Sequence, residues 1–172
     1  MTSRSHFSPI LAAFVLASVA AAPLAAAPKP APDPGGGVAS LYADEQAGRS
    51  PLLDPRHRAA KLTTGLAALW ARADAAVPSG EDGPIDFDVV TNSQGATVKS
   101  DTLTIERRDA THATVAAKLV LDNWLRASPR ENVVRYDLVL DGARWRIDDV
   151  RGVAEPHVWS LRDLLTQSLR EK

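Results

Sequence analysis

The stretch YDLVLDGARWRIDDV, Tyr136 to Val150, constrains this chain more than any other. Two runs of alternating apolar and polar residues flank Asp141-Gly142. Alternation is the two-residue period of a strand with one buried face, and Asp-Gly is a favoured two-residue hairpin loop because both positions need positive φ. Such a loop dictates the pairing. With Asp141 and Gly142 at the turn, Leu140 faces Ala143, Leu138 faces Trp145, Tyr136 faces Ile147 and Val134 faces Asp149, all on one side. The other side then pairs Val139 with Arg144, Asp137 with Arg146, Arg135 with Asp148 and Val133 with Val150. Most of the charge therefore reads as a solvated ladder, each opposite pair contributing about 0.2–1 kcal/mol. Asp149 stands apart: this register points its carboxylate at the apolar face, where it needs a partner or a pocket.

Helical signals precede the hairpin. Val38, Leu41 and Tyr42 form a short apolar stripe that ends at Gly48. Asp54-Pro55 spells an N-cap followed by a first-turn proline, and Leu66, Leu69, Trp70 and Ala73 continue as a stripe up to Pro78. Thr63-Thr64-Gly65 interrupts the pattern, which leaves one bent helix or two short ones between 55 and 77. Strand patterns follow at Ile85–Val90, Thr102–Arg107 and Thr114–Leu121. A last helix begins at Ser160, where Asp163 completes a capping box and Leu161, Leu164, Leu165 and Leu169 supply the buried stripe. The fold class expected is α+β, with helices packed against a curved antiparallel sheet and one helix at the C-terminal end.

Residues 1–27 read as a cleaved secretory signal: Arg4, an apolar run from Ile10 to Ala22, then small residues. That run is alanine-rich and interrupted by Pro23, too weak for a stable membrane span after processing. Residues 28–37, PKPAPDPGGG, read as a Pro/Gly-rich linker, and the single domain is expected over 38–172. The compartment expected is the periplasm or the exterior of a bacterium. Charge is balanced, 20 Lys and Arg against 21 Asp and Glu, without a basic run, so nothing favours nucleic acid. Cysteine is absent, which excludes disulfides, thiolate metal sites and a cysteine nucleophile.

The spelling RYDLVLDGARWRIDDV followed by SLRDLL resembles the C-terminal half of a bacterial exported family, domain of unknown function 3828. A V-x-x-L-Y helix, the helix start DPRHR and the DFD segment resemble its N-terminal half. The likeness implies a cone like that of nuclear transport factor 2 and ketosteroid isomerase, with helices in the concave face of the sheet. One departure is that Gln94 is followed by Gly95 and Ala96, where the family often has a Q-D pair.

Residues able to line such a cone are Tyr42, Asp88, Tyr136, Trp145 and Asp149, and these are the expected binding residues. For catalysis only Asp149, as acid or base, and Tyr136, as hydrogen-bond donor, are candidates. Asp86 and Asp88 bracket Phe87 and are expected to cap a turn rather than hold a metal. His57, His112 and His157 make no ligand spacing, and no phosphate-loop or nucleophile-elbow motif occurs, so neither cofactor nor metal is expected. Trp124, where the strand pattern fades, is a candidate interface residue. The function expected is a non-catalytic binding or protein-interaction module of the cell envelope. Its partner would be a small apolar molecule or an envelope protein. A cone-pocket isomerase or hydrolase using Asp149 and an immunity-like inhibitor of another envelope protein are the alternatives.

Overall fold

A computed structural model describes residues 32–81, 83–122 and 128–171. The expected signal, residues 1–27, and Trp124 lie outside those residues. Among the described residues the fold is α+β: four α-helices and a curved five-stranded antiparallel sheet. The strands follow one another as a meander, β1 (Thr97–Arg108), β2 (His112–Asp122), β3 (Val133–Asp141), β4 (Arg144–Ala154) and β5 (His157–Ser160). Three extra residues, Lys99 and Glu106 in β1 and Asp148 in β4, interrupt the pairing and bend the strands. Strand β5 was not anticipated; it carries Trp159 back along β4, opposite Gly152.

Helix α1 (Gly35–Gln46) buries Val38, Leu41 and Tyr42 as their spacing requires. It starts before Val38 because the Asp33 carboxylate accepts the Gly35 N–H at 3.1 Å, winding the three glycines into the first turn. The next helical stretch is two helices, α2 (Pro55–Lys61) and α3 (Thr64–Ala76). Asp54 accepts the Arg56 N–H at 2.9 Å, and Pro55 opens α2 as read. The break has a tertiary cause: Leu62 bridges Ile147, and the Thr63 N–H donates to the Ile147 carbonyl at 2.8 Å. Helix α4 (Leu161–Ser168) is capped by Ser160, whose hydroxyl accepts the Asp163 N–H. No helix among the described residues is long and apolar enough to cross a membrane.

Leu41, Leu66, Trp70, Leu161 and Leu165 meet Val115, Ala117, Leu119, Val134, Tyr136, Leu138, Ile147 and Val150 in one apolar cluster. Ile85–Val90 contributes Val89 and Val90 to this core but is not a strand. Its backbone turns instead, with a single bridge between Asp88 and Ser93.

The hairpin departs from its expected register twice. Its two-residue loop is Gly142-Ala143, with Gly142 at φ 61°, so Asp141 pairs with Arg144, Leu140 with Trp145 and Leu138 with Ile147. This slide keeps Trp145 and Ile147 on the side of Leu138. Then Asp148 bulges out, and beyond it Asp137 pairs with Asp149 and Tyr136 with Val150. The bulge exchanges the two faces, so Val150 enters the core and Asp149 leaves it. The expected charge pairs change with the register. Arg146 bonds Asp141 at 2.8 Å, Arg135 bonds Glu106 at 2.9 Å and Arg162 holds Asp148. Arg151 grips Asp137 with two bonds of 2.6 and 2.8 Å.

Candidate functional site

Helical spacing turns Tyr42 inward from α1 and strand alternation turns Tyr136 inward from β3, and both are fully buried. Their hydroxyls lie 2.8 Å apart, with the rings edge-on at 6.1 Å. Tyr42 donates its single hydrogen to the Val90 carbonyl at 3.1 Å, so Tyr136 must donate to Tyr42. Burial pushes both phenols well above their ordinary range, and the charges of Asp88 and Glu45 add to the effect. The pair stays neutral and its hydrogens are committed internally, so Tyr136 has none to offer a substrate.

Two acids approach this pair. Asp88 accepts the Val90 N–H at 2.8 Å and the Thr91 hydroxyl at 3.3 Å. Burial outweighs these bonds and raises its pKa. Glu45 lies on α1 three residues beyond Tyr42, and its Oε1 is buried without a hydrogen-bond partner among the described residues. Burial first, then Asp88 and Asp44, push the Glu45 carboxyl up to about 8. Glu45 escaped the sequence reading, yet it stands seven residues after Val38, on the same buried stripe. Behind this group, Asn92 donates to the carbonyls of Glu131 (3.0 Å) and Val153 (2.8 Å), and its oxygen accepts the Trp159 indole N–H at 2.9 Å.

Asp149 does not face this interior. Its carboxylate accepts the Val150 N–H (2.9 Å), the Ser160 hydroxyl (2.7 Å) and the Arg162 N–H (3.1 Å), tying β4 to the first turn of α4. All three donors belong to the junction of β4 and α4. His57, in the first turn of α2, and His112, at the start of β2, are exposed and sit beside Asp54 and Asp109. Among the described residues no group of three or more His, Cys, Asp and Glu is placed to hold a metal.

Trp145 belongs to a different place. Its indole N–H donates to the Pro32 carbonyl at 2.7 Å, holding the segment before α1 against the hairpin. Next to it lies an open groove of about 460 Å³, floored by Leu138, Ile147 and Trp145 and walled by Gly36 and Gly37. Lys61 and Arg144 stand on its rim with Asp33. A larger groove of about 620 Å³ crosses the outer face of the sheet, but its Arg135 and Arg151 are already paired with Glu106 and Asp137. Of the expected binding residues, then, Tyr42, Tyr136 and Asp88 come together inside, Trp145 lines an open groove, and Asp149 joins neither. No family model, no curated protein and no solved structure matches this chain.

Proposed function

We propose that this chain is an exported binding module of the bacterial cell envelope, holding a small molecule in the groove beside Trp145. The observation that carries the reading is the contrast between two sets of polar groups. Tyr136, Asp88 and Asp149 are engaged by hydrogen bonds within the fold, whereas the groove is open and apolar-floored, the usual make-up of a small-molecule site. The three-donor cradle around Asp149 argues against its use as an acid or base. The cone of nuclear transport factor 2 and the family likeness read from RYDLVLDGARWRIDDV are part of this proposal. Their support is the order of elements, helices first, then an antiparallel meander, then a closing helix.

The test is native mass spectrometry of the chain purified from periplasm, beside a Gly36→Leu variant. A small molecule should accompany the parent chain and be missing from the variant. A parent chain that carries nothing and shows no thermal shift with any small amphiphile would sink the reading.

A further inference from the structure

We propose that the groove beside Trp145 selects a small amphipathic anion, a compact apolar body carrying one carboxylate or sulfonate. This rests on the binding-module reading and adds the chemistry of the ligand. The floor is apolar: Leu138 and Ile147 belong to the core, and the half-buried Trp145 presents its ring beside them. The wall is bare backbone. A Cβ on Gly36 would meet nothing within 4 Å, so packing does not demand glycine there. A side chain at that point would instead occupy the groove.

The rim decides the charge. Arg144 is exposed and has no hydrogen-bond or ion-pair partner among the described residues, so its guanidinium is available. Lys61 donates one hydrogen to the Ser40 hydroxyl at 2.7 Å and is ion-paired with Asp44 at 3.8 Å, too far to take a hydrogen, so ammonium hydrogens stay free. Asp33, the acid on this rim, faces the Gly35 N–H instead. Arg108 lies on the Trp145 ring, 6.0 Å from its centroid, and adds a third cation nearby. An apolar body settling on the floor thus brings its head group between Lys61 and Arg144. A carboxylate or sulfonate gains there, a neutral head gains only from the floor, and an ammonium is repelled.

The experiment is a titration of the ¹⁵N-labelled full chain with decanoate, decanol and decylammonium, followed in ¹H–¹⁵N correlation spectra. Decanoate should shift the Trp145 indole and the Gly36 and Gly37 amides, and bind about five- to tenfold tighter than decanol at low salt, as ion pairs with the exposed Arg144 and the half-buried Lys61 allow. Added salt and Arg144→Gln should each erode that preference while leaving decanol unchanged. Gly36→Leu should weaken both ligands without loss of the folded spectrum. Decanol binding as well as decanoate, or decylammonium binding best, overturns the anion assignment but leaves the groove as a binding site. Shifts absent from all three reporters for every ligand overturn the anion assignment and the binding-module reading together.

Discussion

Replacing Glu45 by Gln should remove a pH dependence that the fold builds into α1. The folded chain holds this carboxyl at about 8, against an ordinary 4.5, chiefly because burial opposes its charge and then because Asp88 and Asp44 are close. An acid raised in the folded state binds more protons folded than unfolded. Its penalty is absent below about 4.5, grows as pH rises, and is complete above about 8. The gap between those values sets a ceiling of about 5 kcal/mol. Glu45 is only partly buried, so solvent screening brings the expected figure to about 1–2 kcal/mol. Urea unfolding from pH 5 to pH 9 should therefore show the parent chain losing stability across that range, and Glu45→Gln losing less, ending about 1–2 kcal/mol more stable at pH 9. Asp88, also raised, contributes a slope of the same sign that the variant retains. On the acid side Asp137 behaves oppositely. Burial raises it, but hydrogen bonds from Arg151 and Thr114 outweigh burial, so stability falls again as pH drops through its lowered value. Parallel curves for parent and variant between pH 5 and 9, or a Glu45 carboxyl titrating near 4.5 by ¹³C NMR, would show that burial does not control this acid.

The hydroxyl pair makes a directional prediction. Tyr136→Phe leaves Tyr42 donating to Val90 and should cost about 1 kcal/mol, whereas Tyr42→Phe strands both the Val90 carbonyl and the Tyr136 hydroxyl and should cost about 2 kcal/mol, as read from urea midpoints. Arg58 is buried, donates to the Leu52 and Leu53 carbonyls and to Asp74, and stacks 4.0 Å over Trp70. Arg58→Met should therefore destabilise by about 2–3 kcal/mol in the same assay, because three acceptors lose their donor. Gly152→Ala should cost about 2–3 kcal/mol and alter the near-ultraviolet signal of Trp159. The new methyl would lie 2.4 Å from a rigid indole ring that is itself bonded to Asn92.

Where local chemistry decides the backbone, the sequence was legible. Asp54-Pro55, Ser160 with Asp163, and the stripes of α1, α3 and α4 all act as their spelling requires. Where a distant contact decides, it was not. Thr63-Thr64-Gly65 marks the break but not its partner Ile147, and the turn-capping expected of Asp86 and Asp88 stands against an alternation in IDFDVV that still spells a strand. That segment turns because Asp88 caps it and Asn92 adopts φ 53°, reaching carbonyls remote in sequence.

The sharpest case is Asp149, because its misplacement has a cause visible in hindsight within four letters. Ile147 and Val150 are three residues apart, and strict alternation cannot send both into the core. Burying each of these side chains contributes about 1.5–3 kcal/mol, more than an uninterrupted ladder offers at one position. The chain therefore lets Asp148 bulge, which buries Ile147 and Val150 together and turns Asp149 outward. There it caps the start of α4, while Arg162 draws Asp148 to the same corner. The two carboxylates that resemble an active site thus fasten a helix to the sheet. The same bulge leaves the part of β4 nearer the turn in its original sense, which is why Trp145 remains at the groove and Asp149 does not.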